Sequence, residues 1–255
     1  MPRASQRPPV TMRGDLTARI MFAGRSSSLS AQIVSHVRDS LFAKQIKPGD
    51  FLGTEKDLAA QFGCSRIVAR DALRTLEAMG IVEISRGARG GARVTHGNPQ
   101  LFAEALAVQL ELAAIDVEEI LGAQAAVEGL GAELAAQRAT RAQVLALRSL
   151  VAEAEGLLHD LDAFTRSSLR FHLAVAEASR NRVLHYQLVS LQHVSWPRRN
   201  RTLTRPVARR VLDAHRSLAA LIGARDAAAA RRLMEEHVGM IRSRRVAESS
   251  RSACC

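Results

Sequence analysis

The segment Thr54-Glu55-Lys56-Asp57-Leu58-Ala59-Ala60-Gln61-Phe62-Gly63-Cys64-Ser65-Arg66-Ile67-Val68-Ala69-Arg70-Asp71-Ala72-Leu73 reads as two short helices around a tight turn. Thr54 is a good N-cap and Asp57, three residues on, completes a capping-box pattern, so a helix starts near Glu55. Leu58, Ala59 and Phe62 recur at helical spacing, and Gly63 offers the backbone freedom needed to leave the helix. Ser65 caps a second helix with a buried stripe of Ala69, Ala72, Leu73, Leu76 and Met79, while Cys64 fills the turn as a small hydrophobe. Arg66, Ile67 and Arg70 face away from that stripe. Guanidiniums one turn apart near an exposed helix start can fork onto guanine edges or clamp phosphates, and the helix N-terminus favours the same anions. A helix-turn-helix alone is only moderately specific, because paired arginines commonly do no more than solvate a surface helix.

The residues that follow decide the matter. Ile81 to Ser85 alternates as a strand, Arg86-Gly87-Ala88-Arg89-Gly90-Gly91 forms a basic glycine-rich turn, and Ala92 to Thr95 reads as the returning strand. The pattern is a winged helix. Its glycines let the backbone approach a duplex closely, while Arg86 and Arg89 reach a phosphate or the minor groove.

With these motifs in hand, Leu29 to Val94 resembles the DNA-binding domain of the GntR family of bacterial transcription regulators. The resemblance takes in an opening helix over Ala31 to Ala43 and the Ile46-Lys47-Pro48-Gly49-Asp50 turn. It extends through Thr54 to Ala59, Ser65-Arg66, Arg70 to Leu73 and the wing. It implies DNA contacts at Lys56, Ser65, Arg66, Arg70, Arg86 and Gly87; the basic wing itself adds Arg89 as a candidate phosphate contact. Ile67 and Val68 stand where many members carry a small polar residue and a proline, which leaves base preference open.

Charge agrees with a polyanionic partner: 36 Lys and Arg against 25 Asp and Glu give +11 over 255 residues. Residues 1–96 hold 15 basic and 8 acidic side chains, and residues 97–255 hold 21 and 17, so the excess is concentrated in the smaller N-terminal part. The length suits two domains. No apolar run approaches the roughly 18 residues of a membrane span and no signal-peptide core opens the chain, so a cytoplasmic protein without a membrane partner is expected. Three cysteines, two of them at the C-terminus, make neither a disulfide framework nor a zinc knuckle. Residues 1–27 read as a basic flexible arm. They either add phosphate contacts or form a nonspecific extension, with Met12 and Met21 as alternative starts.

Gly97-Asn98-Pro99-Gln100 breaks the pattern and divides a winged-helix domain over 28–96 from a helical one over 101–247. Helical periodicity runs through Leu101–Ala113, Val117–Gln137, Arg141–Leu161, Ala163–Ala178, Arg182–Trp196, Pro206–Ala224 and Ala227–Val246, with capping residues at Asp116, Thr140, Asn181, Thr204 and Asp226. The fold class is therefore mainly α, an N-terminal winged helix followed by an all-helical bundle.

This second half resembles the ligand-sensing FCD domain of the FadR-type subgroup of the GntR family. The likeness rests on Glu133 to Thr140, on Phe171 to Asn181, and on one histidine in each of the last two helices. It implies a divalent metal such as zinc or nickel on His172, His215 and His237, a set that suits such an ion. Many members place an Asp four residues before the first of these histidines, where this chain has Ser168, and an Arg where it has Gln124. Both departures bear on the effector, either an organic acid or a larger and more apolar molecule such as a fatty acyl-CoA. Gln124, Ser168 and His193 are candidate pocket residues, and His185 and Trp196 lie near the last of these.

The reading is a homodimeric, sequence-specific regulator, a repressor, whose two heads grip a palindromic operator under control of a small molecule. Two other classes stand beside it. Three histidines around an open metal position could activate water in an enzyme, but no general base is evident in the sequence. A nonspecific architectural DNA binder would have no use for a roomy bundle.

Overall fold

A computed structural model describes Pro9 and residues 28–87, 90–195 and 203–252, apart from the side chains of Val117, of Ser195 and of residues beyond 240. The basic arm (Pro9 excepted), Arg89, Trp196 and the terminal cysteines lie outside the described residues. The chain divides into two compact units, 1–101 and 102–255.

In the first unit, α1 (Leu29–Phe42) starts where Ser28 accepts the Ala31 N–H. Strand β1 (Phe51–Gly53) leads to α2 (Glu55–Phe62) and α3 (Arg66–Ala78), and a hairpin of β2 (Val82–Ser85) and β3 (Gly91–Val94) follows. The strands are antiparallel in the order β1-β3-β2, with Val82 opposite Val94 and Ser85 opposite Gly91. Both halves of the Thr54–Asp57 capping box are made, and Gly63 ends α2 in the left-handed region at φ 60°. Gly91 is required on two counts. Its φ is +137°, and a Cβ there would lie 2.6 Å from the Phe51 ring, so only glycine lets β1 close on β3. Ile33, Val37, Leu52, Leu58, Leu73, Leu76 and Val82 form the core, with Cys64 packed against it. Met79, expected in the buried stripe, is 50% exposed, because it is the C-cap of α3 and the chain turns away there.

Seven helices follow: α4 (Pro99–Leu112), α5 (Val117–Arg138), α6 (Arg141–Gly156), α7 (Leu161–Ala178), α8 (Arg182–Ser195), α9 (Arg205–Ala224) and α10 (Ala227–Ser252). Their starts follow the expected caps. Asp116 accepts from the Glu119 N–H at 2.8 Å, Thr140 and Gln143 form a full capping box, and Asp226 accepts from the Ala229 N–H at 3.0 Å. Thr204 is the exception, bounding α9 without a side-chain cap bond, while Pro206 sets the first turn. The helix expected over Arg141–Leu161 ends at Gly156 instead. Asp160 accepts from the Asp162 and Ala163 N–H groups and so opens α7 at Leu161, two residues before its expected start at Ala163.

Phe164, Phe171, Leu147, Leu212, Leu218 and Met234 fill the bundle interior. Helix α10 lies close along α5 at Gly129, where a Cβ would come within 2.6 Å of Glu235. Arg231 of α10 ties the same pair of helices through Glu133 of α5 at 2.9 Å, and pairs within its own helix with Glu235 at 2.8 Å. At the turn between α9 and α10, Arg225 sits at φ 63° and donates to Ala136 O at 3.1 Å and Ala139 O at 2.7 Å, meeting the open carbonyls at the end of α5. Among the described residues, no helix is long and apolar enough to cross a membrane.

Candidate functional site

The residues expected to meet DNA lie on the exposed side of the first unit. Ser65 caps α3 by accepting the Val68 N–H at 3.3 Å, so its hydroxyl hydrogen can still point outward. Arg66 and Arg70 follow one turn apart, both exposed, and Ile67 between them is 77% exposed. The two arginines are not equivalent. Arg70 forks onto Glu55 of α2, Nε to Oε1 at 2.8 Å and Nη2 to Oε2 at 2.9 Å, while Arg66 Nη2 stands 3.9 Å from the same carboxylate. The bonds from Arg70 hold the Glu55 carboxyl below its usual range. Glu55 is a residue that sequence reasoning missed; its position one helix away from Arg70 was visible only as a capping-turn acid. Lys56 is exposed on the first turn of α2, and Arg86 and Gly87 are exposed at the wing, where Gly87 has φ +101°.

The second cluster is buried. His172 from α7, His215 from α9 and His237 from α10 come together with one ligand atom of each within 4.8 Å of the others. The Nε2 atoms of His172 and His215 are 3.2 Å apart, and the His172 and His237 rings stack at 5.3 Å between centroids. Phe171 stacks on His215 at 4.2 Å and seals that side. Burial, and then the neighbouring imidazoles, push His215 well below the ordinary histidine pKa, and burial with His172 takes His237 down to about 3. Both rings are therefore neutral near pH 7, with lone pairs available.

The residues fit a divalent ion. Neither ring nitrogen of His237 has a hydrogen-bond partner among the described residues, although the ring is 2% exposed. Buried polar atoms are ordinarily satisfied, so two orphan nitrogens facing two further imidazoles mark a place prepared for a Lewis acid. Three imidazoles match the protein donors of known three-histidine zinc sites in type and number.

The candidate effector residues part company. Gln124 is buried and donates from Nε2 to Glu128 Oε1 at 2.7 Å. The other oxygen of Glu128 meets His172 Nδ1, which makes Glu128, 3% exposed, the second residue the sequence did not reveal. The one available signal was its spacing of four from Gln124 on α5. Ser168 is half-buried, one turn before His172 on α7. His193 is exposed near the end of α8 and is not a member of the histidine cluster.

A winged helix bearing exposed arginines, followed by a helical bundle with a buried histidine cluster, defines the class of DNA-binding transcription regulators. Residues 29–94 match the bacterial regulatory proteins of the gntR family and residues 119–240 match the FCD domain. The chain belongs to the GntR family, in its FCD-containing branch. It is 33% identical over 223 residues to the putative L-lactate dehydrogenase operon regulatory protein of Escherichia coli (strain K12), covering 84% of each chain. It is 31% identical over 151 residues to the HTH-type transcriptional regulator LutR of Bacillus subtilis (strain 168), covering 59% of this chain and 67% of that one. The solved structure of Streptococcus agalactiae GntR superposes with a TM-score of 0.60 at 21% identity, over 84% of this chain and 99% of that one, which supports the fold. These relatives are named as regulators rather than enzymes, and the protein is a transcription regulator without a catalytic role.

Proposed function

We propose that the protein is a homodimeric repressor of a palindromic operator, released or retained by a small carboxylic acid that reaches a divalent ion on His172, His215 and His237. The observation that carries the sensing part is that neither nitrogen of buried His237 has a partner among the described residues, beside two further imidazoles. An ion there supplies Lewis acidity and an open position for an oxygen ligand. The protein's own residues supply the rest: Phe171 and the bundle core exclude water, and burial keeps His215 and His237 unprotonated. A chelating 2-hydroxy acid suits such a centre better than a fatty acyl-CoA, since three ligand atoms within 4.8 Å form a point site. The relative named for an L-lactate dehydrogenase operon supports the same class.

On the DNA side, Arg66 reads base edges and Arg70, oriented by Glu55, adds a base or phosphate contact. Lys56, Ser65, Arg86, Gly87 and Arg89 serve the backbone. Coupling requires that the acid bind one arrangement of the two heads better than the other, and about 1.4 kcal/mol of difference changes operator affinity tenfold.

The test is a salt-controlled titration of the protein against its own upstream intergenic DNA and a scrambled control, with metal content assayed and L-lactate and other 2-hydroxy acids added. Palindrome-dependent binding that the acid shifts only in metal-loaded protein supports the reading. Sequence-blind binding, or an acid response untouched by chelation, refutes it.

A further inference from the structure

The histidine centre is made of neutral rings, and a divalent ion on them brings two positive charges into an apolar interior. Such a charge is costly without an anion nearby. Ser168 supplies none. One carboxylate does reach the cluster from a different helix. Glu128 of α5 is 3% exposed, one of its oxygens meets His172 Nδ1, and the other accepts from Gln124 Nε2 at 2.7 Å. Among the described residues no Lys or Arg pairs with it, and its two partners are His172 and the Gln124 amide.

Building on the metal-centre reading above, we infer that Glu128 is the positioning carboxylate of this centre. It accepts the Nδ1 proton of His172, turns the Nε2 lone pair toward His215 and His237, and provides the negative charge that Ser168 cannot. Three details support the assignment. The Nε2 atom of His172 does face its partner, 3.2 Å from His215 Nε2. The His172 and His237 rings are stacked at 5.3 Å with 12° between their planes, so the orientation of the first ring is coupled to that of the second. Gln124 engages the remaining carboxylate oxygen through its amide, holding Glu128 without neutralising it, as an Arg at that position would. A ring nitrogen protonated toward a carboxylate, with its opposite nitrogen free for metal, is a recurrent device for orienting histidine ligands. Here the device is assembled from α5 and α7, whose partners are 44 residues apart. Glu128 is not itself among the residues whose ligand atoms converge, so it acts through His172.

The test uses the full-length protein stripped by a chelator. Zinc affinity is measured by competition with a chromophoric chelator, and the histidine tautomers of zinc-free wild-type protein are read by long-range 15N NMR. Glu128→Gln, still folded by circular dichroism, is expected to bind zinc about 10–100-fold more weakly. Adding Ser168→Asp to that variant is expected to restore about tenfold, by returning a carboxylate to the face of His172. The His172 proton is expected on Nδ1 in the wild type, a measurement that stands even where Glu128→Gln does not fold. A folded Glu128→Gln that binds zinc like the wild type, a double variant with no recovery, or a His172 proton on Nε2 each overturns the role of Glu128. Wild-type protein that binds no zinc overturns the metal centre itself and this inference with it.

Discussion

Two carboxylates, one in each unit, face nitrogen partners, and they live in different media. Glu55, with its side chain 31% exposed, forks with Arg70 on the open surface of the winged helix. Glu128, with its side chain 1% exposed, meets His172 inside the bundle. Water and salt screen the first contact, so it adds little to folding and leaves Arg70 able to exchange partners. The second contact cannot exchange with solvent, and removing one partner of a buried pair typically costs about 3–5 kcal/mol because the other is left uncompensated. Charge on the head is therefore set out for something external. Polarity in the bundle is destabilising unless something internal completes it.

The largest expected effect tests that last statement. His237→Leu should stabilise the metal-free protein by about 1–3 kcal/mol, since it removes a buried group with no hydrogen bonds among the described residues. It should also abolish the zinc-dependent gain in stability, which for a binding-competent protein is about 2.7 kcal/mol at a hundredfold excess over Kd. Calorimetric melts with and without zinc measure both. A destabilised metal-free variant would show that His237 is structural and erase the contrast. On the head, Arg66→Ala should cost about 1–3 kcal/mol on the operator and relax base preference at one position of each half-site, as read by competition with single-base variants. Loss of equal size on random DNA would reduce Arg66 to a phosphate contact. Arg86→Ala should weaken operator and random DNA alike and lower the slope of log affinity against log salt by about 0.9. Smallest of all, Glu55→Gln should leave the melting temperature of the head unchanged while narrowing the preference for operator over random DNA by less than about tenfold. A large drop in stability would place Glu55 beside Glu128 as a structural charge.

The head was legible because its determinants are local. Thr54, Asp57, Gly63 and Ser65 act within three residues of themselves, and Leu58, Phe62, Ala69, Leu73 and Leu76 repeat at the helical period. What escaped was short or terminal: the three residues of β1, whose partner β3 lies some forty residues downstream, and Met79, whose burial depended on where α3 stops. In the bundle, the three histidines were legible only through family resemblance, because no spacing along the chain joins α7, α9 and α10. Glu128 had less to show. It sits in an alanine-rich helix with small residues on every side, and an acid there reads as a solvated position until packing places it against His172. Glu55 marked only the start of a helix for the same reason: its partner Arg70 is fifteen residues away.

The clamp that Arg225 makes on the end of α5 gives the bundle a lever geometry. His215 lies ten residues before Arg225 and His237 twelve after it, so at about 1.5 Å per residue each ring sits roughly 15–18 Å along its helix from that pivot. Ligand distances in a metal site hold to about 0.2 Å, which over such an arm is a tilt of about one degree. Under the proposed metal centre, engaging all three imidazoles would hold the α9–α10 hairpin at a defined angle on α5, to about a degree.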